Sequence, residues 1–219
     1  MSFRHVLYAM LVPLLASCQS TSQEGNPHPL KTGDRWQGEL LLEQDRLWLE
    51  PCSEGRRFLV LDGLGLDRDA RTLMASQGTN SLFVDLRGRM APTTEPKATG
   101  LLTPTRLYRL EDQNPGCKDP ELKGSLMRAR IEPDLTLTIT SQGMLLQRSG
   151  QPPQALPYLE EQLPEGQTNF SSEANGQRLE LWIAPQRCQG NTILTPLAAT
   201  LQMNGRTLRG CAYLGGGRE

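Results

Sequence analysis

Histidine is what this sequence lacks most plainly: two residues in 219, His5 and His28. A Ser-His-Asp or Cys-His mechanism needs an imidazole held on a rigid scaffold, and a multi-histidine metal site needs several. No pair of cysteines has Cys-x-x-Cys spacing, which argues against a zinc ribbon and a thioredoxin-like redox motif. Charge of one sign is also missing. Lys and Arg number 23 against 24 Asp and Glu, a formal net charge of −1. A nucleic-acid binder would need clustered excess Lys and Arg, so no nucleic-acid partner is expected. Aromatics make up only 5% of the chain and hydrophobic residues 37%, so the core will be aliphatic and modest. The longest apolar run, Val6 to Ala16, has 11 residues. A helix crossing a bilayer needs about 20, so this run is too short to span. What is abundant is Gly (21) and Pro (16), the signature of many turns and short elements.

The short apolar run has a meaning of its own. It follows Arg4 and His5 and ends at Leu15-Ala16-Ser17-Cys18. That is the form of a bacterial lipobox closing a secretory signal peptide over residues 1–17. Cys18 is then expected to become the mature N-terminus and to carry lipid, which anchors the chain to a membrane without spanning it. Gln19, not Asp, follows the cysteine, and this favours the outer membrane, periplasmic face. Removing residues 1–17 takes away Arg4 and no acid, leaving 22 basic and 24 acidic side chains. Residues 18–34 read as anchor and polar tether, with His28 a solvated tether residue. Extended at about 3.3 Å per residue, Gln19 to Lys31 reaches roughly 40 Å.

Four cysteines remain: Cys52, Cys117, Cys188 and Cys211. An even number in an oxidising compartment implies two disulfides, and four cysteines permit three connectivities. The sequential one, Cys52–Cys117 with Cys188–Cys211, keeps each bridge in its own half of the chain.

Strand patterns dominate. Residues 38–43 and 46–51 form a hairpin candidate across Gln44-Asp45, and 57–61 is a third short strand. Residues 67–77 read as a helix capped by Asp67 or Asp69 and ended by Gly78. In 81–88, Leu82, Val84 and Leu86 share one face, with Asp85 and Arg87 on the other. Residues 101–110 make a further strand, and Asn114-Pro115-Gly116-Cys117 a turn. Beyond Leu122, residues 125–131 read as a strand. Leu135, Leu137 and Ile139 alternate with threonines, the clearest period-2 signal in the chain. Residues 143–148 complete a hairpin with that strand. Residues 151–166 read as a long Pro-rich loop, and 178–184 as a strand. Residues 197–203 and 206–212 pair across Asn204-Gly205. Gly215 to Gly217 reads as a flexible tail. The expected fold is all-β: two small antiparallel barrels over residues 35–120 and 121–219, the first OB-fold-like with one helix.

The candidate chemistry is thin. Glu160-Glu161 and Glu111-Asp112 are adjacent acids, read as solvated faces rather than a general acid/base pair. Gly63-Leu64-Gly65 reads as a turn, and Met74, Met90, Met127, Met144 and Met203 as core filler. Trp36, Trp48 and Trp182 read as core or barrel mouth. Arg56, Arg57, Arg87 and Arg89 lie near strand ends of the first barrel and read as a solvated rim. No catalytic residue, metal ligand or cofactor is assigned.

In the first half, Gly38, the run Cys52-Ser53-Glu54-Gly55-Arg56-Arg57-Phe58-Leu59-Val60, the strand Leu82-Phe83-Val84-Asp85-Leu86-Arg87-Gly88 and the closing Asn114-Pro115-Gly116-Cys117 resemble the C-terminal OB-fold domain of the NlpE family. These are outer-membrane lipoproteins associated with surface sensing, envelope-stress signalling and copper tolerance. The resemblance covers about 80 residues and implies that Cys52 pairs with Cys117. It lacks the family's N-terminal barrel with its Cys-x-x-Cys motif, so the copper association has no residues here. The second half resembles uncharacterised bacterial envelope proteins through Glu132-Pro133, Cys188 and Gly210-Cys211, and departs from them at Gln189-Gly190-Asn191-Thr192. META-type and lysozyme-inhibitor-type lipoproteins offer fold analogies.

The resulting expectation is a non-enzymatic lipoprotein that senses the envelope through protein contacts, its partner a periplasmic or inner-membrane protein. The alternative is an inhibitor or ligand-binding lipoprotein, with the 151–166 loop able to plug a cleft. In the sensing case the Cys52–Cys117 bridge could report on oxidation.

Overall fold

The computed structural model describes residues 33–120, 122–174 and 176–218. The signal peptide, Cys18 and the tether with His28 lie outside the described residues.

The first lobe contains β1 (Asp34–Glu43), β2 (Arg46–Pro51), β3 (Phe58–Val60), α1 (Leu66–Gln77), β4 (Ser81–Ala91) and β5 (Gly100–Glu111). β1 and β2 turn through Gln44 and Asp45, both at positive φ (48° and 62°), the geometry that matches a hairpin's twist. The strands run in the order β1-β2-β3-β5-β4, and β4 returns to β1, closing a five-stranded barrel. β3 and β5 are parallel. The helix supplies the crossover after β3, and the order is that of an OB-like fold. Leu66, Ala70, Leu73 and Met74 recur at helical spacing and pack against Leu40, Leu82, Val84 and Leu86 inside the barrel.

The second lobe contains β6 (Met127–Ile131), β7 (Leu135–Ile139), β8 (Met144–Arg148), β9 (Gln154–Leu156), β10 (Leu159–Gln162), β11 (Thr168–Ala174) and β12 (Gln177–Ala184). After β13 (Cys188–Gln189) and β14 (Ile193–Thr195) come β15 (Leu197–Met203) and β16 (Arg206–Leu214). Nine of these strands make one antiparallel sheet, ordered β10-β11-β12-β15-β16-β6-β7-β8-β9. It curls into a half-barrel around Leu137, Ile139, Phe170, Leu181 and Leu201. Its two edge strands, β9 and β10, are successive in the chain, so Pro157 and Tyr158 lead directly from one edge to the other. The Tyr158 hydroxyl donates to the carbonyl of Thr140 at 2.9 Å.

β13 and β14 belong to the first lobe's sheet. β14 pairs with β5, setting Leu194 opposite Leu110, and Leu194 packs into the first lobe's core. The Cys52–Cys117 bridge lies within the first lobe, whereas Cys188–Cys211 joins β13, in the first sheet, to β16, in the second.

Several sequence expectations need correction. The helix is preceded by Gly65 in a left-handed conformation and has no side-chain cap; Asp67 and Asp69 sit in its first turn. There they still favour the helix dipole. The 151–166 segment holds β9 and β10 rather than a free loop. β11 was not expected, because only Phe170 in it is a large apolar residue; its inward positions are otherwise Thr168 and Ser172. Nor is the glycine tail free. The amides of Gly215 and Gly217 donate to Leu126 and Ser125, and a Cβ on Gly215 would stand 2.0 Å from the Ser125 carbonyl oxygen.

Candidate functional site

Alternation along β4 and β5 sends Leu82, Val84, Leu86 and Leu110 into the barrel, which turns Phe83, Asp85, Arg109 and Glu111 outward. In a lone barrel those four would meet water. Here all four are buried, because the second lobe packs on them.

The Arg109 guanidinium is sandwiched between the Phe83 and Tyr213 rings, 4.4 Å from each centroid. It donates to Glu111 and to the Tyr213 hydroxyl, both at 2.7 Å. Arg130 of the second lobe reaches Glu111 at 3.2 Å, and Arg128 pairs with Asp119. Beside this cluster Asp85 accepts a two-pronged hydrogen bond from Arg35, at 2.8 and 2.7 Å, and a third bond from Gln37. Arg35 in turn donates to the carbonyls of Leu214 and Gly215, tying the C-terminal tail to the first lobe. Burial pushes the Glu111 carboxyl above its ordinary pKa despite Arg109 and Arg130, and pushes the Tyr213 phenol up as well. Glu111 is therefore a buried seam residue, not part of a solvated acid face.

Two concavities border this seam. One, of about 980 Å³, is polar and has the Cys188–Cys211 bridge in its wall. Glu132 accepts from the backbone amide of Asn191 at 3.1 Å and so holds the turn between β13 and β14. The other, of about 460 Å³, is mainly apolar. Leu64, Leu66 and Leu107 line it from the first lobe; Leu194, Leu197 and Leu214 come from the second half of the chain. Asp69 and Arg187 sit in its wall, paired at 2.9 Å.

The structure disperses the other sequence candidates. Arg57 pairs with Glu43 and Glu50 and stacks over Trp48; Arg56 pairs with Glu54; Arg87 donates to the Tyr108 hydroxyl and the Gly33 carbonyl. Trp36 packs edge-on to Phe58. Met74, Met127, Met144 and Met203 are core residues, and Met90 is exposed. Among the described residues no group of three or more His, Cys, Asp and Glu is placed to hold a metal ion.

Sequence reasoning missed the seam and both concavities. Arg109 and Glu111 alternate with apolar residues as solvent-facing charges do, so nothing local marks them. Leu64 did leave a signal: a large apolar side chain between two glycines in a turn has no reason to be there unless it meets something. No protein-family model matches the chain, and no curated protein or solved structure matches it significantly.

Proposed function

We propose that the chain is an outer-membrane lipoprotein, anchored through lipid on Cys18, that works by binding rather than by catalysis. In this reading it takes an apolar ligand between its two lobes and reports it to a periplasmic or inner-membrane protein. The observation that carries it is the apolar cavity walled by both lobes, of a size typical of small-molecule sites. A ligand there touches both lobes at once, so occupancy can change how they hold each other. The lipobox supports the anchor, and the NlpE-like residues of the first half support an envelope-sensing role. Two disulfides are compatible with an oxidising compartment. The alternative divides on this geometry. Its ligand-binding branch has a cavity, whereas the inhibitor branch loses its projecting loop, since residues 154–156 and 159–162 are strands.

The test has two arms. Wild-type chain should label with fatty acid and fractionate with outer membrane, and Cys18→Ser should do neither; equal labelling of both would end the anchor reading. The full chain carrying Cys18→Ser should bind N-phenyl-1-naphthylamine saturably, one per chain. Linear, unsaturable fluorescence would end the ligand reading.

A further inference from the structure

The apolar cavity carries more information than its volume, and the inference drawn from it rests on the ligand-binding reading above. Its rim is cationic. Arg106 lines it, exposed, with its guanidinium 5.0 Å from the Tyr108 ring centroid; among the described residues no carboxylate is in ion-pair contact with it. Arg187 lines it too, and its guanidinium is half exposed although it touches Asp69. Arg68 also approaches Asp69, at 3.6 Å. Among the described residues Asp69 is the only acid in the lining, so the charge left over at the rim is positive.

The second feature is Leu64. It lines the same cavity, is 57% exposed, and holds φ at +63°. A bulky apolar side chain in the left-handed region is strained, and such strain clusters at ligand sites. Gly63 and Gly65 flank it, and the Arg68 guanidinium lies 3.3 Å from where a Cβ on Gly65 would sit. The turn thus holds a leucine out at the mouth of an apolar cavity, beside a guanidinium.

An apolar chamber whose entrance carries two guanidinium groups, Arg106 and Arg187, against the single carboxylate of Asp69 matches one ligand chemistry. The ligand has an alkyl body that leaves water and an anionic head that accepts charge-assisted hydrogen bonds. We propose that this cavity binds a single-chain amphiphile with an anionic head, its chain between Leu64, Leu107 and Leu197 and its head against Arg106 and Arg187. Carboxylate and phosphate heads share that chemistry. At about 460 Å³ the cavity suits one chain rather than a two-chain lipid.

The test is calorimetric titration of the full chain carrying Cys18→Ser, because an acylated chain needs detergent that would compete. The probes share a dodecyl chain and differ in head: laurate, dodecyl phosphate, dodecylammonium and dodecyl maltoside, all below micelle formation. Acetate and inorganic phosphate serve as heads without chains. Laurate or dodecyl phosphate should bind one per chain, at least tenfold tighter than dodecylammonium, and whichever is tighter names the head. Acetate and inorganic phosphate should not bind. Arg106→Gln, an exposed substitution, should weaken the anionic probes about tenfold and leave dodecyl maltoside unchanged. Leu64→Asp should weaken every dodecyl probe. Equal affinity for all four heads would overturn the anionic inference and leave the ligand reading standing. Tight binding of acetate or phosphate alone would replace it with a simple anion site. Binding untouched by Leu64→Asp would place the ligand elsewhere. No binding of any probe would overturn both readings.

Discussion

The two lobes solve the same problem in different ways. The first closes its five strands into a barrel by pairing β4 with both β1 and β5, and only the end of β5, at Leu110 and Glu111, takes a strand from outside the barrel. Its outer wall, however, carries Phe83, Asp85, Arg109 and Glu111, which make sense only under a cover. The second lobe leaves its nine-stranded sheet open. It covers that wall with Arg128, Arg130 and Tyr213, and sends β14 across to pair with β5. The closed lobe is therefore the one whose surface is incomplete, and the open lobe supplies what it lacks. Both concavities border the seam where the two lobes meet, so neither lobe alone builds them.

The sharpest way to break this comparison is at Arg109. Arg109→Ala removes the buried cation that pairs with Glu111 at 2.7 Å. Breaking such a pair costs about 3–5 kcal/mol. Urea unfolding, expected as one transition in the wild type, should shift by that amount and split as the lobes separate. Arg109→Met with Glu111→Leu, which removes both charges, should recover most of the loss. A single, unshifted transition in Arg109→Ala would mean the seam does not couple the lobes.

The disulfides come next and should differ in kind. Replacing Cys52 and Cys117 with Ser opens a 65-residue separation, worth about 4 kcal/mol of loop entropy, and should lower the transition without splitting it. Replacing Cys188 and Cys211 opens one of 23, worth about 3 kcal/mol, yet should split the transition because that bridge ties the two sheets. Monitoring Trp48 and Trp182 separately, each in a background lacking the other tryptophans, distinguishes the outcomes.

The smallest effect is a pH dependence. Burial raises the Glu111 carboxyl above its unfolded value, so between those two values the folded chain binds more protons than the unfolded one. Stability from this group is accordingly undiminished below the ordinary carboxyl range and falls as pH rises towards the raised value. The difference in unfolding free energy between wild type and Glu111→Gln should show this slope across the weakly acidic range, and a flat difference would remove Glu111 as its source.

Much of each lobe's interior was legible in the sequence. Leu82, Val84 and Leu86, and then Leu135, Leu137 and Ile139, announce buried strand faces by strict alternation, and Gln44-Asp45 and Asn204-Gly205 announce their hairpins. What was not legible lies between the lobes. Alternation assigns the second face of β4 to solvent by default, and only the folded chain shows Phe83 and Asp85 covered. β11 hides because Thr168 and Ser172 fill inward positions that apolar residues usually mark. β13 and β14 are too short to carry a period, and the glycine tail looks loose until Arg35 and the Ser125 backbone are seen to hold it. The candidate site inherits this limit: its walls come from residues about 150 positions apart in the chain, and only Leu64 between its two glycines hinted at it.

The most direct test of a ligand held between two lobes is a residue-by-residue map of where it binds. Amide spectra of the isotope-labelled full chain carrying Cys18→Ser should be recorded as laurate is added. Shifts are predicted together in Leu64, Leu66 and Arg106 to Tyr108 of the first lobe and in Arg187, Leu194, Leu197 and Leu214 from the second half. Shifts confined to one of these two sets, or gathered around Glu132 and Arg209 in the polar cleft, would contradict a shared site between the lobes.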